Sequence, residues 1–104
     1  MVSEGDKFIK AAIPAIRIAV AELLSTKYKM SQNEIAGGLG VTQAAVNKYL
    51  NRRYSKKIGR IASMVKKEGA DIAIAGMVVS GRGLSQINER IDGAASAMYQ
   101  GWAN

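Results

Sequence analysis

Cysteine and histidine are both absent from this chain of 104 residues. Their absence removes disulfides, zinc fingers, thiol nucleophiles, histidine acid–base chemistry and most transition-metal sites together. Carboxylates are scarce too, eight against fifteen lysines and arginines. Glu34 belongs to a helix cap and the others are scattered without a pair at site-like spacing, so no catalytic residue, cofactor or metal is expected and the chain is not read as an enzyme. The longest apolar run, residues 72–79 with a glycine inside, is far too short to span a bilayer. The start, MVSEGDKFIK, lacks the basic-then-apolar order of a signal peptide, which predicts a cytoplasmic protein without membrane contact. Internal repeats and low-complexity segments are missing as well.

What remains is a folded, basic chain. A hydrophobic share of 48% and a mean hydropathy of −0.02 suit one domain with a modest core. The net charge of +7 is concentrated: residues 31–69 carry eight basic and two acidic side chains. Between positions 48 and 67 the basic residues Lys48, Arg52, Arg53, Lys56, Lys57, Arg60, Lys66 and Lys67 meet no acid. Such a run is often only a solvated face, and its neighbourhood has to decide.

That neighbourhood is residues 31–51, SQNEIAGGLGVTQAAVNKYLN, which reads as two short helices joined by a tight turn. Ser31-Gln32-Asn33-Glu34 is a capping box, serine hydroxyl and glutamate carboxylate satisfying orphan backbone donors reciprocally. Ile35, Ala36 and Leu39 form the inward face of the first helix, with Ala36 small enough for a second helix to cross close by. Gly40 suits a turn of positive φ, and Thr42 caps a second helix beginning at Gln43. Val46, Tyr49 and Leu50 recur at helical spacing as its buried face, with Ala45 at the edge. Gln43, Ala44, Asn47, Lys48 and Asn51 then face outward. Glutamine and asparagine can each offer a donor and an acceptor to an adenine edge, and alanine can touch a thymine methyl. The composition is that of a recognition helix in a helix-turn-helix. After such a helix the basic run reads as phosphate-neutralising charge.

The rest of the chain is predicted to pack around this unit. Ile9, Ile13, Ile16, Val20 and Leu23 mark an amphipathic helix; Pro14, costly inside a helix but tolerated in its first turn, sets the regular part at about 14–27, with residues 6–12 kinked or extended. Ser55 caps a helix to about Glu68, with Ile58, Ile61, Ala62 and Val65 on one side and Lys56, Arg60 and Lys67 opposite. Gly69 ends it. Asp71 is read as the cap of a helix over 72–79, apolar nearly all round and so buried by this domain or by a second copy. Residues 80–83, SGRG, are a flexible turn without the Lys-Ser/Thr of a P-loop. Ser85 caps a last helix to about Gln100, with Ile87, Ile91, Ala94, Ala95 and Met98 on one face and Trp102 just beyond. The expected fold is all-α, a compact bundle of about five helices. Residues 1–68 would hold the helix-turn-helix core, and residues 69–104 a helical pair for packing or dimerisation within the same domain.

Over roughly residues 14–65 the chain resembles the lambda-repressor-like (XRE or Cro type) helix-turn-helix regulators. The similarity lies with a group of short archaeal regulators. Ile13-Pro14-Ala15-Ile16-Arg17 matches that group's start, Ser31 to Ala36 its Ser-Gln-x-Glu-Ile-Ala motif, and Leu39 to Leu50 its Leu-Gly-Val-Thr-Gln-Ala-Ala-Val-Ser-x-Tyr-Leu motif. The resemblance implies that Gln32 touches phosphate while Gln43 and Ala44 sit at base edges. Asn47 stands where the group usually has serine, which implies a different target sequence. Members often carry cysteines toward the C-terminus, and some an appended ligand-binding domain; these residues show neither, so the resemblance implies no metal or iron–sulfur site and leaves a small-molecule effector open.

The leading expectation is a sequence-specific double-stranded DNA-binding transcriptional regulator, a homodimer. Gln43, Ala44, Asn47 and Lys48 would read bases; Gln32, Thr42, Asn51, Arg52, Arg53, Lys56 and Lys57 would engage phosphates. Two other readings stay open: an antitoxin-like module that grips a protein partner with its C-terminal helices, and a weakly specific architectural DNA coat.

Overall fold

A computed structural model describes residues 3–103, and within them all regular structure is helical. Six helices follow in order: α1 Glu4–Thr26, α2 Gln32–Leu39, α3 Gln43–Leu50, α4 Lys56–Glu68, α5 Ala70–Val79 and α6 Leu84–Ala103. They enclose one cluster of buried apolar side chains drawn from all six. Its axis is α1, which touches each of the other five helices. The sequence of α1 explains the position. Ala12, Ala15, Ala19 and Ala21 are buried along it beside Ile16, Ile18, Val20 and Leu24, so neighbours can come close on several sides.

Pro14 does not begin this helix. It lies inside a continuous α1 that starts ten residues earlier, where Ser3 Oγ accepts from the Asp6 N–H at 3.1 Å. An interior proline costs about 3 kcal/mol. Tertiary packing offsets it: Phe8, which a kinked segment would leave outside, is 9% exposed and lies against Tyr99 of α6, ring centroids 5.7 Å apart. Burying a side chain of that size is worth about 1.5–3 kcal/mol, and Ala12 is enclosed as well.

The middle helices start and stop at their own local signals. Ser31 and Glu34 form the capping box, the Glu34 N–H donating to Ser31 Oγ at 3.2 Å and the Ser31 N–H to Glu34 Oε1 at 2.9 Å. Thr42 Oγ1 accepts from the Ala45 N–H at 3.0 Å, and Ser55 Oγ from the Ile58 N–H at 3.2 Å. Gly40 takes φ 69° at the end of α2.

The C-terminal third departs from expectation in its details. Gly69, at φ 80°, ends α4 and opens α5 directly, leaving no extended residue for a side-chain cap. Asp71 therefore sits inside the first turn of α5, 6% exposed, its Oδ1 without a hydrogen-bond partner. Helix α5 is not covered all round. Ile74 and Ala75 are buried, while Ile72 is 59% and Val79 49% exposed, because one side alone faces the bundle. Ser85 lies within α6 rather than capping it, and α6 runs past Gln100 to Ala103. Ile87, Ile91, Ala95 and Met98 face the core as expected. The Trp102 side chain and Met1, Val2 and Asn104 lie outside the described residues.

Candidate nucleic-acid interface

The candidate interface is built by three consecutive short-range devices. The capping box fixes the first turn of α2 and holds Gln32 beside it. Gly40 reverses the chain, with the Val41 N–H returning to the Ala36 carbonyl at 3.1 Å. Thr42 then starts α3, whose only fully buried residue is Val46; Tyr49 and Leu50 are half-buried against the core. With Gln43, Ala44 and Lys48 exposed, one side of α3 is left open to a partner.

On the free side Gln32, Gln43, Ala44, Asn47, Lys48 and Arg53 line one shallow hollow of about 470 Å³. All four residues expected at bases are there. Gln32 and Arg53, expected at phosphates, join them. Gln43, Ala44 and Lys48 are exposed and Asn47 half-buried. The hollow thus combines amide groups, a methyl group and two cations with no carboxylate.

Thr42, Asn51, Arg52, Lys56 and Lys57 do not line it. The Thr42 hydroxyl is engaged as the α3 cap. Asn51 is the C-cap of α3, its Nδ2 donating to the Asn47 carbonyl at 2.8 Å, so part of its hydrogen-bonding capacity is spent within the helix. Lys56 and Lys57 occupy the first turn of α4, which contains no acid. Cations at the positive end of a helix dipole cost folding a few tenths of a kcal/mol and attract anions. Lys66, by contrast, is ion-paired with Glu22 of α1, which takes it out of the free basic field.

Two features carry no simple sequence signal. Arg52 has φ 57°; it and Lys29 are the non-glycine residues in the left-handed region among the described residues. There Arg52 completes the turn after α3, the Arg53 N–H reaching the Lys48 carbonyl at 2.9 Å, a position usually given to glycine. Tyr54, read in the sequence only as part of a polar connector, is half-buried, its ring edge 3.3 Å from where a Cβ on Gly59 would stand. It braces the connector on α4.

The Ser31 backbone N–H, and after it the Ser31 hydroxyl, hold the Glu34 carboxyl below its ordinary value of 4.5. Among the described residues no cluster of three or more acidic side chains could hold a metal ion, and no helix is long and apolar enough to cross a membrane. Comparison with protein-family models, with curated proteins and with solved structures finds no match for this chain.

Proposed function

We propose that this chain is a sequence-specific double-stranded DNA-binding transcriptional regulator, a cytoplasmic homodimer whose α2 and α3 act as a helix-turn-helix in the lambda-repressor-like manner. The observation that carries the reading is the hollow shared by Gln32, Gln43, Ala44, Asn47, Lys48 and Arg53. Helix α3 enters the major groove. The amides of Gln43 and Asn47 pair with adenine edges, and the Ala44 methyl meets a thymine methyl. Arg53, Arg52, Lys56 and Lys57 neutralise phosphates along the flank, and Thr42 and Asn51 approach the backbone from the two ends of α3.

Ile72, Val79 and Leu84 are exposed on α5 and at the start of α6, and the dimer reading takes them as its seam. The protomer measures 37 × 26 × 26 Å. Two copies side by side are commensurate with recognition helices one DNA turn apart, roughly 34 Å. Amide-resolved NMR titration with a mixed-sequence duplex tests the surface. The expected outcome is perturbation centred on Gln32, residues 43–48 and Arg53; perturbation confined to α5 and α6 would overturn the reading.

A further inference from the structure

We infer that a second groove, between the start of α1 and α4, is a binding site for a small amphipathic anion: one acidic group on an apolar body. The groove has a volume of about 370 Å³ and is lined by Glu4, Lys7, Phe8, Lys57, Arg60, Ile61 and Met64. That volume lies in the size range of small-molecule sites. Its floor is apolar. Phe8 and Ile61 are core residues that line it, and Met64 is half-buried beside them. Methionine adapts its shape to a varied apolar guest.

The rim sets the sign of the guest. Lys7, Lys57 and Arg60 are exposed and stand against a single acid, Glu4. Among the described residues the only ion pair within 4.0 Å joins Lys66 to Glu22, farther along the same two helices. Three cations and one acid therefore surround an apolar floor, an excess of positive charge at the rim. Long basic side chains can lay their stems on such a floor and keep their heads at its edge, where a carboxylate or sulfonate on the guest gains charge-assisted hydrogen bonds. A bare phosphate would use the rim and leave the apolar floor uncovered; a neutral hydrocarbon would do the reverse. A molecule with both parts uses the whole groove. The site does not depend on the DNA reading, with which it shares Lys57 alone.

The test titrates the intact chain, without DNA and at about physiological salt, with decanoate, decanol and acetate, following amide shifts by NMR. The expected result is saturable binding of one decanoate per chain with shifts at Phe8, Ile61 and Met64, and binding of decanol and acetate weaker by about tenfold or more. The wild-type series decides the chemistry without any variant. A second comparison locates it: Lys7→Glu with Arg60→Glu should weaken decanoate by about tenfold or more, while Lys10→Glu with Lys67→Glu, the same charge change at other exposed positions of α1 and α4, should leave it nearly unchanged. Absence of saturable decanoate binding, decanol or acetate binding as well as decanoate, or equal loss in both pairs of variants would overturn the proposal.

Discussion

Arg52 carries a cost for the fold that a phosphate contact in the proposed complex would repay. Its left-handed φ of 57° is strained for a residue with a Cβ by about 1–2 kcal/mol, and glycine would relieve that. Glycine also gains about 0.5–1 kcal/mol of freedom in the unfolded chain, so Arg52→Gly should raise stability by a net ~0.5–1 kcal/mol in urea denaturation. If Arg52 neutralises a phosphate, the same variant binds duplex DNA more weakly, and the slope of log affinity against log salt falls by about 0.9. A stabilised variant with an unaltered slope would remove Arg52 from the interface. Glu34 acts at the same scale through pH. Its folded value lies below 4.5, so its carboxylate adds stability that is present above that ordinary value and is lost as pH falls through the lower, folded one. Glu34→Gln keeps an acceptor for the Ser31 N–H and loses the charge. Denaturant midpoints of wild type and variant should differ at neutral pH and converge below pH 4.5; a gap that does not change with pH would show that the charge contributes nothing.

Helix α2 contains two adjacent glycines with opposite environments. A Cβ on Gly37 would meet nothing within 4 Å, whereas a Cβ on Gly38 would stand 2.6 Å from Cγ1 of Val78 in α5. Alanine gains up to about 1 kcal/mol over glycine inside a helix, so Gly37→Ala should stabilise by about 0.5–1 kcal/mol in thermal or urea unfolding. At Gly38 that gain meets an overpacking cost of about 1–3 kcal/mol, because a β-branched side chain has few rotamers in which to retreat. Gly38→Ala should be neutral at best and destabilising by up to ~2 kcal/mol. Equal stabilisation by both would mean that α2 and α5 do not approach as described. The same contrast shows which parts of the fold are legible in the sequence. The starts of α2, α3 and α4 can be read because Ser31, Thr42 and Ser55 fix them within one turn. The start of α1 cannot, since Pro14 argues locally for a break and only the docking of Phe8 on Tyr99 outweighs it. Nor can Gly38, which is small for the sake of a side chain forty residues away.

At the scale of the whole molecule, charge and apolar surface lie in different thirds of the chain. The basic residues of 48–67 follow α3, and the exposed Ile72, Val79 and Leu84 lie on α5 and at the start of α6. The outward residues of α3 can be named from helical periodicity alone, since they are what remains once Val46, Tyr49 and Leu50 turn inward. That Gln32 and Arg53 join them, and that Lys57 faces a different groove, depends on how α1, α2 and α4 pack and is not written in any local pattern. We propose that this assembled hollow reads bases as a two-fold symmetric pair. The most direct test is enrichment of random duplex DNA by the purified protein, beside the Asn47→Ala variant, at about physiological salt. The expected result is a two-fold symmetric motif with half-sites about one helical turn apart, lost or altered by Asn47→Ala, with a cost of about 1–3 kcal/mol at the preferred site. Tight, salt-sensitive binding to every duplex with no enriched motif, equal for both proteins, would contradict it.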